Sequence, residues 1–119
     1  IALESIGQWQ AAQQSYLSVL RKWPDNTLAR FGLANTLRTQ GKLAEAVDQY
    51  HQLLTQDAGH IPARNNLAVT LFRLGRCDDA LSVLEPAVIN DVSDSDMYKA
   101  VSATRTEIQE ACPDTPEIQ

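Results

Sequence analysis

The sequence lacks the features by which several functional classes are usually recognised. None of its apolar runs approaches the roughly 20 residues that a helix needs to cross a bilayer, so no membrane span is predicted. Nucleic-acid-binding domains usually carry a basic surplus, whereas this chain has 10 lysines and arginines against 15 acidic residues. We therefore predict neither a membrane segment nor a nucleic-acid partner.

Residues suited to catalysis or metal binding are also scarce. The two cysteines and two histidines do not have the spacing of zinc ligands, and no glycine-rich phosphate loop is present. Cys77 with His51 or His60 could be taken for a nucleophile and its base, but their expected positions do not bring them within hydrogen-bond reach. We predict a protein that is not an enzyme, without a cofactor or a metal site.

The sequence does contain a fixed period. Three short stretches resemble one another, and their glycines, alanines and large ring or aliphatic residues all recur at a step of 34 residues. The recurring residues are Gly7, Gly41 and Gly75; Ala12, Ala46 and Ala80; and Tyr16, Tyr50 and Leu84. A period between about 20 and 50 residues is typical of stacked structural repeats. Glycine and proline are otherwise few, and 44% of the residues are hydrophobic, so a chain of this length can bury a core as one domain.

Apolar residues spaced three and four apart predict helices between these turns. The predicted helices are 8–22, 28–40, 43–56, 62–74, 77–89 and 96–111, preceded by the end of another helix over 1–6. Gly7 is predicted to break the chain between the first two, and Gly41 and Gly75 to end helices as left-handed caps. Asn26 or Thr27 can cap a helix start. The last helix is mostly polar, as expected of a terminal cap.

The residues within each unit carry a resemblance. Leu33-Ala34 and Leu67-Ala68 supply a large and a small residue in the middle of a first helix, and each pair is followed by a glycine turn and an alanine. In these residues the chain resembles the tetratricopeptide repeat family. The resemblance implies an all-α fold, a right-handed superhelix of helix–turn–helix repeats with a C-terminal capping helix.

The resemblance also implies a domain organisation. A repeat domain over 1–112 would consist of a partial repeat 1–26, full repeats 27–60 and 61–94, and the capping helix 95–112. Residues 113–119 are predicted to be a flexible tail. Because the sequence begins inside a helical pattern and lacks an initiator methionine, we expect it to be a fragment of a longer protein. Its compartment is not predicted.

Cys77 and Cys112 admit two interpretations. They can form a disulfide, although two cysteines do not define a framework, or they can be a small core residue and a helix-end residue. In stacked repeats they are expected near similar turns of neighbouring units. That separation is about 10 Å, beyond the usual reach of a disulfide. The unbridged interpretation is therefore favoured.

In this family the first helix of each pair lines a concave groove, so the resemblance implies that a partner binds there. The predicted partner-binding residues are Phe31, Asn35, Arg38, Asn65, Asn66, Val69, Phe72 and Arg73. The first helices and their ends carry basic residues and no acid: Arg30, Arg38, Lys42, Arg64, Arg73 and Arg76. Such a groove favours a protein or peptide partner that is acidic or ends in a carboxylate. The alternative is that these arginines only solvate the helices and pair with nearby acids.

The function predicted first is a non-catalytic scaffold for protein–protein interaction. A second hypothesis makes the chain the C-terminal appendage of a larger enzyme, because 23–26 and 65–68 are similar to repeats appended to some bacterial cysteine peptidases. A third hypothesis is a homo-oligomer, since truncation of the first repeat would leave Trp9 and Tyr16 without their usual cover.

Overall fold

The computed structural model describes residues 3–85 and 95–112 of the chain. Within these ranges the protein is all-α, with six helices and no strand. The helices are α1 (Leu3–Lys22), α2 (Thr27–Thr39), α3 (Leu43–Gln56), α4 (Ile61–Arg73), α5 (Cys77–Val83) and α6 (Ser95–Ala111). Each helix packs on the next one along the chain from α1 to α5, and α6 packs on both α4 and α5. The first helices α2, α4 and α6 therefore stand side by side along one face.

Two glycine turns reverse the chain between paired helices. Gly41 and Gly75 are the glycines with positive φ in the described ranges, at 85° and 81°, a conformation that residues with a side chain rarely adopt. The amide of Lys42 donates to the carbonyl of Leu37 across the first turn at 2.9 Å, and the second turn repeats this bond one unit later. The prediction of left-handed caps at both glycines is confirmed.

Gly7 does not behave like these two glycines, and the prediction that it breaks a helix is wrong. α1 runs without interruption from Leu3 to Lys22. Glycine inside a helix costs only about 1 kcal/mol relative to alanine, and helix-forming residues on both sides of Gly7 outweigh that cost. The period of 34 residues that Gly7 shares with Gly41 and Gly75 therefore does not make it a turn.

The other helix bounds are close to the predicted ones, with one exception. α3 has the predicted bounds, and α2, α4 and α6 begin one residue earlier than predicted. α5 ends at Val83, well before the predicted 89. Pro86 follows two residues after Leu84 in the sequence, and a proline disfavours helical backbone in the residue before it. The rest of that predicted helix, residues 86–89, and the predicted tail 113–119 lie outside the described residues.

Side-chain caps begin α2 and α4. The Oδ1 atom of Asn26 accepts a hydrogen bond from the amide of Ala29 at 2.9 Å, which decides between the two predicted caps in favour of Asn26. The Nδ1 atom of His60 does the same for the amide of Ala63 at 3.1 Å. Pro62 lies in the first turn of α4, as predicted.

The last helix keeps the register of the repeat. Residues of α2, α4 and α6 that are separated by 34 positions match one another in burial and in hydrogen bonding. The buried apolar set is Leu33, Leu67 and Val101. The hydroxyls of Thr36, Thr70 and Thr104 each donate to the carbonyl four residues earlier, at 2.9, 2.7 and 3.0 Å. The capping helix α6 therefore occupies the place of the first helix of a further unit.

A disulfide joins Cys77 to Cys112, with their Cα atoms 6.3 Å apart, so the favoured unbridged interpretation is wrong. α2 and α4 stop just before a glycine, but the corresponding position in α6 is Gln109, and the helix continues for about one more turn. This extension brings Cys112 to the beginning of α5. The expected distance of about 10 Å describes the separation of helix axes, whereas side chains that point toward each other across that space come closer.

The contact between α1 and α2 depends on a missing side chain at Gly32. A Cβ atom placed there would lie 2.3 Å from Cζ of Tyr16, far inside van der Waals contact. The tyrosine ring is thus partly buried against α2 and packs against the core. Small residues at such points allow two helices to approach closely.

We expect opposite effects from alanine at two helical glycines. Gly32→Ala should destabilise the protein by about 1–2 kcal/mol, because overpacking against Tyr16 exceeds the gain in helix propensity. Gly7→Ala should leave the stability unchanged or raise it by up to about 1 kcal/mol, because no atom lies within 4 Å of the new Cβ. Urea denaturation of both variants measures the difference. A loss of stability in Gly7→Ala would argue that α1 is broken at this residue.

Candidate functional site

The face formed by α2 and α4 carries a connected set of polar side chains, which we call the groove cluster: Asn35, Arg38, Tyr50 and Asn66. The hydroxyl of Tyr50 donates to Oδ1 of Asn35 and accepts from Nε of Arg38 at 3.3 Å. Nδ2 of Asn66 donates to the same Oδ1 of Asn35 at 3.0 Å. Three helices of two successive repeats are thereby joined in one hydrogen-bond network.

Tyr50 is the buried member of the groove cluster. Its side chain comes from α3, is fully buried, and directs its hydroxyl toward the first helices. Burial raises the pKa of this hydroxyl above its ordinary value of 10.0, while the hydrogen bond and positive charge of Arg38 offset part of the rise. The neutral phenol is therefore favoured, and it holds the amide of Asn35 in one orientation.

The two asparagines of the groove cluster retain hydrogen-bonding capacity. Both side chains are only partly buried. Within the described residues, the known hydrogen bonds use Oδ1 of Asn35 and Nδ2 of Asn66. Nδ2 of Asn35 and Oδ1 of Asn66 make none of these bonds. One donor and one acceptor, on two amides that are hydrogen-bonded to each other, consequently have no protein partner among the described residues.

Phe31 belongs to the wall of the groove near the start of α4. Its ring packs against the rings of His60 and Tyr50, with centroid distances of 4.9 and 6.4 Å. One helical turn earlier, Leu28 is 79% exposed. The stripe of α2 that faces the groove therefore begins with an exposed aliphatic side chain and continues through an aromatic one to the groove cluster.

The remaining predicted binding residues lie on α4, and the described contacts do not connect them to the groove cluster. Val69 is partly buried, Phe72 is partly buried and packs against the core, and Arg73 is exposed. Asn65 is partly buried, and its Oδ1 atom is shielded from solvent without a hydrogen-bond partner. The structure thus brings Phe31, Asn35 and Arg38 of α2 together with Asn66 of α4. The other four residues lie on α4 before and after Asn66, outside these contacts.

Arg30 and Arg64 stabilise the fold at equivalent positions. Arg30 donates to Oε1 of Gln49 at 2.7 Å and to the carbonyl of Pro24 at 3.0 Å. Arg64 donates to the carbonyl of Ala58 at 2.9 Å and to a carbonyl at the end of α5. Each arginine ties a first helix to its partner helix and to the preceding connector. Counting them as groove charges overestimated the basic character of the groove.

Arg76 supports the alternative in which an arginine pairs with a nearby acid. It lies 2.8 Å from the carboxylate of Asp79, and both side chains are more than half exposed. A pair of this kind contributes little to stability, but it does neutralise the local charge. On α2 and α4, the basic residues that remain for the groove are Arg38 and Arg73.

Two residues of the site were missed as functional candidates, and each had a signal in the sequence. A buried tyrosine needs a partner for its hydroxyl, so Tyr50 at a core position pointed to a polar contact nearby. His60 precedes a helix with proline in its first turn, which is where a capping side chain is expected. Neither signal identifies the partner.

Three features of the described residues bear on catalysis, metal binding and membrane insertion. The sulfur of Cys77 is bonded to Cys112, so it is not a nucleophile while the disulfide is intact. Among the described residues, no group of three or more histidine, cysteine or acidic side chains could hold a metal ion. None of the described helices is both long enough and apolar enough to cross a membrane.

Removal of the Tyr50 hydroxyl should have a small effect at neutral pH and a characteristic one at high pH. Tyr50→Phe is expected to lose about 1–2 kcal/mol of stability near pH 7, because the hydroxyl makes two hydrogen bonds. Because its pKa is raised in the folded state, Tyr50 contributes stability that is present below about pH 10 and lost as the pH rises further. Denaturation at about pH 8 and about pH 11 should show a smaller alkaline loss in Tyr50→Phe than in the parent. Equal losses would contradict the assignment.

Comparison with known proteins places this geometry in a family. Two tetratricopeptide repeat models match the sequence, one over residues 37–103 and the other over residues 1–61. No curated protein gives a match.

Two solved structures show the same architecture. The TPR2B domain of yeast Sti1, in a complex with pHsp70, has a TM-score of 0.81 and 14% identity, covering 91% of this chain and 88% of that chain. The Yersinia enterocolitica type III secretion chaperone SycD, in complex with a peptide of the translocator YopD, has a TM-score of 0.77 and 16% identity, covering 89% and 83%. At such identities the likeness concerns the fold, and it confirms the predicted all-α superhelix. With its 34-residue period, its paired helices and the two matching models, the chain belongs to the tetratricopeptide repeat family.

Proposed function

We propose that this protein is a non-catalytic interaction scaffold that binds a peptide segment of a partner protein in the groove lined by α2, α4 and α6. The observation that carries the proposal is the groove cluster. Its asparagines are fixed by a buried tyrosine, yet each keeps one unused hydrogen-bonding group. A peptide backbone offers both a donor and an acceptor, so it can satisfy both groups at once.

Preorganisation is the physical advantage of this arrangement. Ordering a free side chain on binding costs roughly 0.5–1.5 kcal/mol. In the groove cluster, Asn35 is already held by Tyr50 and by Asn66, so most of that cost is met during folding. A peptide would therefore bind to amide groups that need little rearrangement.

The groove also offers apolar and basic contacts beside the groove cluster. Exposed Leu28 and partly buried Phe31 can pack against an apolar side chain of the peptide. Arg38 and the exposed Arg73 favour a peptide that is acidic or ends in a carboxylate, by complementary charge. Since the protein as a whole has a net charge of −5, this attraction is local to the groove.

The similar structures agree with the proposal. The Sti1 domain was solved in a complex with pHsp70, and SycD in complex with a peptide of the translocator YopD. We extend to this chain only the general property of binding a protein or peptide partner, and its placement on the first helices is part of our proposal.

The other two hypotheses from the sequence stay predictions. An enzyme appendage would use the same groove, and the sequence that surrounds this chain in its gene would decide between the two. The homo-oligomer hypothesis assumed that Trp9 and Tyr16 lack cover. Both side chains are partly buried, and Tyr16 packs against Gly32. Sedimentation at high concentration would test this hypothesis.

Charge reversal in the groove should weaken peptide binding without unfolding the domain. We expect Arg73→Glu to reduce the affinity for acidic peptides by about tenfold, which corresponds to roughly 1.4 kcal/mol. Arg38→Glu combined with Arg73→Glu should abolish capture. The measurement uses an array of acidic peptides, each synthesised with a free and with an amidated C-terminus, so that a terminal carboxylate and an acidic side chain can be distinguished.

A matched control variant carries the same change in net charge as the Arg38/Arg73 variant, but at residues outside the groove. Arg21→Glu with Lys22→Glu alters the last turn of α1, and this variant should bind peptides as the parent does. Circular dichroism checks that all variants remain folded. Unchanged capture by a folded Arg38/Arg73 variant would overturn the proposed role of these arginines, and equal losses in both double variants would reduce it to a general charge effect.

A further inference from the structure

Within the described residues, α6 docks on α4 and α5 through a short row of buried side chains. Val101 and Ile108 are its fully buried apolar side chains, at 1% and 2% exposure, and Thr104 is nearly buried. The guanidinium of Arg105 donates to the carbonyl of Leu84 at the end of α5. The first turns of α6, residues 96–100, are exposed.

The disulfide strengthens this attachment at the far end of α6. Cys77 is the first residue of α5, and Cys112 directly follows α6. Since α5 has only seven residues, the bond links the start of a short helix to the end of a helix whose first turns are exposed. We call the bond between Cys77 and Cys112 the tether.

The position of α6 connects the tether to the groove. α6 stands where a third first helix belongs, and its main contact is with α4. Its release would remove one wall of the groove and uncover the apolar surface of α4 and α5 against which Val101 and Ile108 pack. Both cysteines are only partly buried, and we expect a small dithiol to reach the bond.

We propose that the tether is a redox switch: α6 stays docked on α4 and α5 while the disulfide is intact, and reduction releases it. The reductant is a dithiol. One of its thiolates attacks a sulfur of the tether to form a mixed disulfide, and the other thiol then displaces the remaining cysteine. Two electrons and two protons pass to Cys77 and Cys112, which become thiols, and the dithiol becomes a disulfide. The effect on peptide binding rests on the proposed function, whereas the release of α6 does not.

Hydrogen exchange of the full chain, with and without dithiothreitol, tests the switch. After reduction, the amides of residues 96–111 should exchange about tenfold faster or more, while those of α2 and α3 should change by less than about twofold. The intact mass should rise by two hydrogens on reduction. Absence of that mass change, unchanged protection of α6, or equal deprotection of α2 and α3 would each overturn the proposal.

A variant separates loss of the tether from other effects of the reductant. Cys77→Ser with Cys112→Ser should show the fast exchange of α6 without dithiothreitol, and addition of dithiothreitol should not change it further. Protection of α6 in this variant equal to that of the oxidised parent would contradict the switch. The peptide array is then repeated on both redox forms of the parent. If no peptide binds to either form although α6 responds to reduction, the proposed function fails and the switch stands.

Discussion

The left-handed glycine turn is the constraint on which the rest of this structure depends. At Gly41 and Gly75 the backbone adopts a conformation that any side chain would strain, and the chain reverses so that each first helix packs on its own second helix. Because both turns have the same geometry and lie 34 residues apart, successive pairs stack in the same way. α2 and α4 are therefore neighbours, and their facing side chains can form one site.

The candidate site depends on a residue that does not line the groove. Tyr50 belongs to a second helix, but its hydroxyl reaches between the first helices and fixes Asn35, which in turn binds Asn66 of the next repeat. Conversely, Arg30 and Arg64 belong to first helices and yet hold them to their partner helices. In this repeat, the helix on which a side chain lies does not by itself decide whether it serves the fold or the groove.

The C-terminal end of the fold shows what happens when the glycine turn is replaced. Gln109 stands at the position of Gly41 and Gly75, so α6 continues and brings Cys112 to Cys77. A disulfide that closes a loop of this size contributes roughly 3–4 kcal/mol in the chain-entropy model. Among the described side chains of this helix, Val101 and Ile108 are the fully buried apolar ones, so we propose that the bond helps to keep the last helix in place.

The sequence by itself determined the period, the paired helices and the two left-handed turns, because these depend on local backbone preferences and on the spacing of apolar residues. Through the family resemblance it also predicted a groove on α2 and α4, which stays a prediction. It could not determine that Gly7 stays helical or that Cys77 reaches Cys112, since both depend on how long a helix continues and on what packs beside it. Nor could it distinguish Arg38, which joins the groove cluster, from Arg30, which ties two helices together. These two arginines of one helix were distinguished only by the tertiary structure, because the direction in which each side chain points is set by its neighbours in space.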